Sequence, residues 1–310
     1  MRAARLLLTS LLPFLFVLNL SAQARSLAGR LGYPADAKLV IIHADDLAVA
    51  HSEDAASFEA LDQHAVSSAS IMVPCPWLTE VADYAKSHPD ADLGLHLTLT
   101  SEWKTYRWGS VAPSDQVPSL LDPAGTFYST TEAAAAHAKP EDAEREMRAQ
   151  VERALAVGIR PTHLDSHMGT AFTSPGVFAA YVKVAHEYQL PFFVVKVTDE
   201  RSKLLSLLSP RDVIVDNVLM ISPSVPPAQW LSYYLNAIKD LKPGLTYMIV
   251  HLAHDDSEAR AIMGQNDPFR AAWRQRDFDV VTSPEFQQAL RDNHVTVIHW
   301  RDLQKLSNDN

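Results

Sequence analysis

Short apolar runs alternate with amphipathic stretches along the chain, which predicts a parallel sheet covered by helices. The first run, residues 38–46, is rich in β-branched side chains and ends in Asp45 and Asp46. Such a run indicates a buried parallel strand, and α/β proteins place their chemistry at the carboxyl ends of these strands. Adjacent side chains on an extended strand point in opposite directions, so the two carboxylates can serve different roles. Alternatively, the pair only caps the following helix, since Asp is a favoured N-cap.

Six further runs have the same character, and helical stretches separate them. Strands are predicted at residues 67–73, 92–100, 161–169, 191–197, 245–251 and 295–300. Helices are predicted at residues 52–65, 78–87, 141–157, 175–188 and 230–241, and from Ser283 onward. About seven βα units with no internal repeat and no Gly/Ser linker indicate one α/β domain, arranged as a closed or nearly closed barrel of parallel strands.

Residues 102–128 interrupt this pattern. Trp103, Tyr106 and Trp108 lie there among Ser, Pro, Gly and Asp without sustained periodicity, which predicts a long loop over one face of the domain. The aromatic side chains can stack on sugar rings or pack the loop onto the barrel, and the sequence leaves both interpretations open.

The first 24 residues have the pattern of a secretory signal peptide. Arg2 and Arg5 precede an apolar run over residues 6–20, and a small-x-small motif ends at Ala24. Polar residues and Pro13 interrupt a run that is already short for a bilayer span. We therefore expect cleavage after Ala24, an exported mature domain over residues 25–310 that is periplasmic or secreted, and no stable membrane insertion after cleavage.

Composition limits the classes of partner. Hydrophobic residues make up 47% of the chain and charged residues 21%, as in ordinary globular proteins. The formal charge of −10 becomes −12 once the segment carrying Arg2 and Arg5 is removed. So acidic a chain, without a run of Lys and Arg, argues against nucleic acid or anionic lipid as a partner. Cys75 is the only cysteine, so no intrachain disulfide can form.

Polar residues at the predicted strand ends form a candidate metal site. Asp46, His96 and His167 lie at three strand ends, and His251 lies at a fourth. One carboxylate and two imidazoles leave coordination positions open, as catalytic metal sites do. Each histidine alone is more often structural, but their coincidence at successive strand ends favours a shared site.

Four sequence blocks resemble the YdjC-like carbohydrate deacetylases, whose best-known members act on chitooligosaccharides. They are Ile-His-Ala-Asp-Asp at 42–46, Gly-Leu-His-Leu-Thr-Leu-Thr at 94–100, Pro-Thr-His-Leu-Asp-Ser-His at 161–167 and Ile-Val-His at 249–251. Weaker similarity extends over nearly the whole mature chain.

The resemblance implies a distorted TIM-like barrel that removes the acetyl group from an N-acetylated amino sugar with one divalent metal ion. By position, the metal ligands would be Asp46, His96 and His167, the general base Asp45, and the acid or polarising group His251. The softness of the imidazole ligands favours zinc and other transition metals. Magnesium remains an alternative, because it is often bound by carboxylate and water ligands.

The chain departs from the family pattern close to these residues. Leu47-Ala48 replaces the usual Phe-Gly, and residues 168–170 replace the histidines that often follow Asp-Ser-His. Leu252 stands where a proline is common. We expect the ligands to survive these changes, whereas substrate recognition near them can differ.

Two other functions remain open from the sequence. One is a metal-dependent hydrolase of another bond, although the chain has neither a second carboxylate-rich cluster nor a phosphate-binding glycine loop. The other is a non-catalytic exported sugar-binding protein that uses Trp77, Trp103 and Trp108.

Three further polar residues, Asp165, His163 and His254, are interpreted separately from the predicted site residues. Asp165 either accepts a hydrogen bond from a ligand histidine and so orients it, or has a capping or hydrogen-bonding role in the core. His163 is expected to be structural, and His254 to lie in a solvated turn.

Overall fold

Seven parallel strands form a curled sheet in the computed structural model, which describes residues 26–196, 200–264 and 266–308. The strands are β1 Lys38–Leu47, β2 Ser68–Ile71, β3 Leu93–Leu97, β4 Leu164–Ser166, β5 Asn217–Met220, β6 Gly244–His251 and β7 Val295–Val297. Their order in the sheet is β4-β3-β2-β1-β6-β5, and β7 pairs with β1. This is the predicted α/β architecture, an incomplete TIM-like barrel of about seven strands in a single domain.

Strand β1 lies at the centre of the sheet. It pairs with β6 from Lys38 to Asp45, with β7 along its first three residues and with β2 along its last part. After Lys38 every residue of the strand is buried, as its continuous apolar pattern predicts. Neighbours on both sides therefore fix the position of the carboxylates at its end.

The pairing of β1 with β2 contains a one-residue irregularity at the two carboxylates. Ala44 pairs with Ala69 and Leu47 with Ile71, so three steps on β1 match two on β2. Asp46 has a φ of 73°, in the left-handed region that Asp tolerates better than most residues. A bulge of this kind bends the strand and redirects its side chains.

The gap between β4 and β5 is spanned by isolated bridges, where residues 191–197 were predicted to form a strand. Leu164 bridges to Phe192 and Val195 bridges to Val215, both in parallel. The strand prediction was wrong in form, because the segment pairs at single points only; Val197 lies outside the described residues. The predicted pattern also missed β5, which is only half-buried.

Eleven α-helices are present among the described residues; the six predicted helices occur in the predicted order, whereas the eleven-residue helix Ala271–Val281 was not predicted. They are α1 Leu27–Arg30, α2 His51–Asp62, α3 Leu78–Ser87, α4 Thr131–His137, α5 Pro140–Ala156, α6 Pro175–Glu187, α7 Trp230–Asp240, α8 Ser257–Met263, α9 Ala271–Val281, α10 Pro284–Asp292 and α11 Trp300–Asn308. Pro at the first position begins α5, α6 and α10, and Ser174 and Ser283 cap the latter two. Strand β7 is shorter than predicted, because the chain enters α11 at Trp300.

The loop over residues 102–128 contains two short 3₁₀ turns, Ser114–Gln116 and Pro118–Leu120, and packs onto the barrel. The indole of Trp108 is buried and donates a hydrogen bond to the carbonyl of Thr100 at 2.8 Å. The Tyr106 hydroxyl donates to the Val49 carbonyl at 2.6 Å. These contacts support the packing interpretation for Trp108 and Tyr106.

The predicted signal peptide, residues 1–24, lies outside the described residues. Among the helices that the structure does describe, none has the length and apolar character required to cross a bilayer.

Candidate active site

The carboxyl ends of β1, β3, β4 and β6 meet around one cavity of about 760 Å³. Asp45, Asp46, His96, His167 and His251 all line it. Parallel strands bring their carboxyl ends to the same edge of the sheet, so the convergence follows from the topology. Both carboxylates of β1 face this cavity, because the bulge at the strand end overrides the alternation expected of adjacent residues.

The predicted ligand set, Asp46, His96 and His167, forms a tight group. Oδ1 of Asp46 lies 3.4 Å from Nε2 of His96 and 3.3 Å from Nδ1 of His167. One ligand atom from each residue lies within 4.8 Å of the other two, and all three side chains are buried. Atoms this close can reach one cation together.

Several features of this group suit a divalent cation. Among the described residues no group hydrogen-bonds to the buried Oδ1 of Asp46, and such a buried acceptor normally has a partner. Burial alone would lower the pKa of both histidines, but nearby carboxylates outweigh it and raise them, that of His167 to about 10. An environment that attracts protons so strongly also favours a bound cation.

Asp165 orients His96 from below the site. Its Oδ1 lies 2.7 Å from Nδ1 of His96, and its Oδ2 accepts a bond from the Tyr247 hydroxyl at 3.1 Å. Oδ2 also lies 3.1 Å from Nε2 of His43. With Nδ1 of His96 donating to this carboxylate, Nε2 faces Asp46 and is the ring nitrogen that would bind a cation. Of the two roles considered for Asp165, this geometry matches the orienting one.

Glu102 has the corresponding position beside His167, and no sequence motif marks this residue apart from its place at the start of the long loop. Its Oε2 lies 3.0 Å from Nε2 of His167. A ring that donates from Nε2 keeps Nδ1 free to face Asp46. Each candidate ligand histidine therefore has its own carboxylate partner.

The second oxygen of Asp46 is held by a residue that the motifs did not identify. Arg274, buried on α9, donates to Oδ2 of Asp46 at 2.9 Å, and its Nη1 lies 2.6 Å from Oε1 of Glu53. Burial opposes the Asp46 carboxylate, yet Arg274 and His167 outweigh it and hold the Asp46 pKa well below its usual range. No local sequence signal marks the pair of Arg274 and Asp46, because Arg274 lies on α9 and Asp46 lies near the end of β1, far apart in the chain.

Asp45 and His251 lie beside the ligand group. Nε2 of His251 is 3.8 Å from Oδ2 of Asp45, while Oδ1 of Asp45 lies 3.2 Å from Nε2 of the buried His43. Burial lowers the pKa of His251, and the nearby carboxylates raise it only in part. The ring is therefore neutral near pH 7. Asp277 accepts a bond from the backbone N–H of His251 at 3.1 Å and fixes its position.

The remaining histidines of the motifs lie outside the cavity. His163 is fully buried and stacks on Trp300 with ring centroids 4.7 Å apart, in accord with the structural role expected for it. Gly94 leaves space for this ring, because a Cβ there would lie 2.4 Å from it. His254 is partly exposed, with Nε2 3.7 Å from Glu59.

Two alternative donor groups lie deeper in the barrel. One comprises His43, His163 and Asp165, and the other comprises Asp45, His96 and Asp165. Both depend on Asp165, whose two oxygens already bond to His96, His43 and Tyr247. Since Asp165 does not line the cavity, the group of Asp46, His96 and His167 is the one open to a substrate.

Relatives in other organisms share most of this chain. A carbohydrate deacetylase from Thermus thermophilus is 31% identical over 278 residues, which cover 86% of this chain and 94% of that protein. A carbohydrate deacetylase from Brevibacillus brevis is 34% identical over 172 residues, which cover 55% of this chain and 65% of that protein.

A solved structure from Enterococcus faecalis V583, described as a candidate cellobiose-phosphate cleavage protein, has the same fold. Its TM-score is 0.74 at 23% identity, and the match covers 86% of this chain and 99% of that one. The family model described as YdjC-like protein matches residues 39–292, a range that includes all five residues predicted for the site. The chain therefore belongs to the YdjC-like family.

Proposed function

We propose that this protein is an exported, metal-dependent hydrolase that removes the acetyl group from an N-acetylated amino sugar. The observation that carries the proposal is the cluster of Asp46, His96 and His167 within 4.8 Å of one another on an open cavity. Asp45 and His251 lie beside that cluster as proton-transfer groups. Relatives named carbohydrate deacetylase support the removal of an acetyl group from a carbohydrate.

Asp46, His96 and His167 are the residues that would hold one divalent cation. When bound, such a cation polarises an acyl oxygen and lowers the pKa of water from about 15.7 toward 7. Imidazole and carboxylate together suit zinc and related transition metals, and the carboxylates also suit magnesium. Asp165, Glu102 and Arg274 keep the three side chains in place.

Asp45 accepts the proton of the attacking water. Its Oδ1 lies 3.2 Å from Nε2 of His43, while Oδ2 faces the side of the cavity where His251 lies. A carboxylate that takes a proton in the transition state typically contributes about 10²–10⁴-fold.

His251 delivers a proton to the departing amine. Because burial keeps its ring neutral near pH 7, the ring must first gain a proton, and the 3.8 Å separation from Asp45 offers the shortest source. The proton taken from water thus passes by way of His251 to the sugar nitrogen, which leaves as an amine while acetate is released.

Metal analysis combined with an acetate-release assay on N-acetylated sugars tests these roles. Asp46→Ala, His96→Ala and His167→Ala are expected to lose both metal and acetate release. Asp45→Asn is expected to retain metal and lose at least about 100-fold in kcat. His299→Ala, a change at a half-exposed histidine remote from the cavity, serves as the matched control and keeps both.

Two results would contradict the assignment. Acetate release that is unchanged in metal-replete Asp45→Asn removes Asp45 as the base. A metal-replete wild-type protein that releases no acetate from any N-acetylated sugar supports the non-catalytic sugar-binding function instead.

Export forms a separate part of the proposal, supported by the signal-peptide pattern of residues 1–24. Expression of the full chain in a bacterial host, followed by mass spectrometry of the periplasmic and secreted fractions, tests it. A mature chain that begins at Arg25 is expected. A protein that keeps Met1 and stays in the cytoplasm contradicts export.

A further inference from the structure

The cavity that holds the candidate metal centre continues into a wall of hydrocarbon side chains. The polar lining comprises the candidate site residues together with Glu102, Thr131, Ser166, Thr173, Asp267 and Arg274, and most of the remaining lining is aliphatic or aromatic. The wall includes Phe172, Phe193, Leu204, Leu205, Val218 and Met220. A cavity of about 760 Å³ is of the size that holds a drug-sized ligand, which is more than one amino sugar ring.

Side chains of this wall are exposed in a way that is unusual for the rest of the protein. Only six large hydrophobic side chains among the described residues are exposed, and three of them line this cavity. They are Met168, Val218 and Met220, each between 41% and 44% exposed. Contiguous apolar surface open to water typically marks a ligand site or an interface.

Strand β5 shows how the wall is built. Along Asn217–Met220 intermediate and exposed positions alternate, so Val218 and Met220 share one face. Both line the cavity. In a small barrel the inward side chains normally fill the interior; here the space in front of them is left open.

The wall does not match the surface that a longer sugar chain requires. Each added sugar ring brings hydroxyl groups that need hydrogen-bond partners when they are buried. Aromatic rings such as Phe172 can stack on a sugar face, but Leu204, Val218 and Met220 offer no hydrogen-bonding group beyond the weakly accepting Met220 sulfur. A hydrocarbon chain needs no hydrogen-bond partner, and its burial contributes about 0.8 kcal/mol of binding free energy per CH₂.

We propose that the substrate is an amphipathic glycoside: an N-acetylated amino sugar joined to a hydrocarbon chain that occupies this wall. The inference rests on the proposed deacetylase function for the sugar end and adds the chemical class of the group attached to it. The sugar places its acetamide beside Asp46 and His251, and the attached chain extends along Phe193 and β5.

Alkyl glycosides of N-acetylglucosamine with methyl, butyl and octyl chains, used below their micelle-forming concentrations, test the proposal in the metal-replete enzyme. Because 0.8 kcal/mol corresponds to about a fourfold change, kcat/KM for acetate release is expected to rise about two- to fourfold per methylene. The octyl glycoside is then at least about 100-fold better than the methyl glycoside. It should also exceed tri-N-acetylchitotriose (chitotriose below), which extends the same N-acetylated sugar with polar rings.

Substitutions in the wall give a second, independent readout. In Val218→Ser/Met220→Ser the octyl-to-methyl ratio of kcat/KM is expected to fall at least about tenfold, because two apolar contacts become polar. Val297→Ser, a change at a valine on β7 that is 38% exposed and outside the cavity, is the matched control and keeps the wild-type ratio. The ratio is internal to each variant, so a general loss of activity does not alter the comparison.

The outcomes separate this inference from the proposed function. Acetate release with an octyl-to-methyl ratio below about threefold, or with chitotriose as the better substrate, overturns the amphipathic substrate and leaves the deacetylase intact. If no glycoside releases acetate, the binding affinities of the glycosides are measured by calorimetry. An octyl glycoside that binds at least about 100-fold more tightly than the methyl glycoside supports the apolar site. Equal binding overturns it.

Discussion

Nε2 of His167 lies 3.0 Å from Oε2 of Glu102, while Nδ1 of the same ring faces Asp46 at 3.3 Å. The long loop therefore contributes to the candidate metal centre through its first residue. Residues of the loop also pack against the barrel, so the loop is part of the site's framework.

Loss of the Glu102 carboxylate should weaken cation binding. In Glu102→Ala the His167 ring loses the acceptor that fixes its orientation, and partners of metal-bound histidines typically contribute about 10–100-fold to affinity. A competition titration against a chelator of known affinity measures the change. Glu152→Ala, a change at an exposed position on α5, is the control, and equal affinities in the two variants would contradict the role given to Glu102.

The backbone at Ala48 predicts a stabilising substitution. Ala48 has a φ of 75°, at the position where the family usually has glycine. A left-handed conformation costs a residue with a Cβ about 1–2 kcal/mol, part of which is offset by the greater freedom of glycine in the unfolded chain. We expect Ala48→Gly to raise the free energy of unfolding by about 0.5–1 kcal/mol in urea titrations.

Ala44→Gly is the matched control for that change. Ala44 is also buried, but it lies inside β1 and has no positive φ. Glycine should destabilise the protein there by about 0.5–1 kcal/mol. If both substitutions destabilise equally, the strain at Ala48 contributes nothing measurable.

Gly94 and His163 should show a strong steric coupling. A Cβ at position 94 would lie 2.4 Å from the His163 ring, which stacks on Trp300 and cannot move aside freely. Gly94→Ala should therefore cost about 1–3 kcal/mol of unfolding free energy, as overpacked cores do. In a double-mutant cycle with His163→Ala, the cost of Gly94→Ala should nearly disappear; strictly additive effects would show that the contact is relieved elsewhere.

Glu146 gives the protein a pH-dependent stability. Burial raises the pKa of Glu146 to about 7, although the N–H groups of Val111 and Ala112 and the Gln150 amide oppose the shift. The folded state thus binds the proton more tightly than the unfolded chain. The resulting contribution of Glu146 to the free energy of unfolding is complete below pH 4.5 and is lost as the pH rises through 7.

Comparison with Glu146→Gln isolates that effect, because the variant cannot titrate. Between pH 4.5 and 7.5 the wild type should lose on the order of 3 kcal/mol of unfolding free energy relative to the variant. Urea unfolding at several pH values measures it. Glu152→Gln should follow the wild-type profile, and parallel profiles for wild type and Glu146→Gln would rule out the effect.

The pattern of apolar runs predicted β1 and α5 correctly but missed α9, although most residues of that helix are buried. It failed at β5, because the exposed Val218 and Met220 there face a cavity instead of a packed core. It also predicted a strand at residues 191–197, where an apolar run meets its neighbours only at single bridges. Periodicity reports burial, and it cannot report which buried segments acquire partners along their whole length.

In the candidate site, too, some features could be predicted from the sequence and others could not. Strand ends brought Asp46, His96 and His167 together because topology alone places them at one edge. Glu102 and Arg274 reach the site from a loop and a distant helix, so no spacing in the sequence marks them. The shared orientation of Asp45 and Asp46 depends on a bulge, whereas a regular strand would separate them.

The ion pair between Arg274 and Asp46 joins residues that are 228 positions apart. A nascent chain leaving the ribosome therefore carries β1 for most of its synthesis before the guanidinium that neutralises Asp46 and Glu53 is made. Contacts of such long range form late. Assembly of the candidate site consequently requires the chain through α9, and any truncation upstream of that helix leaves two buried acids without their counter-ion.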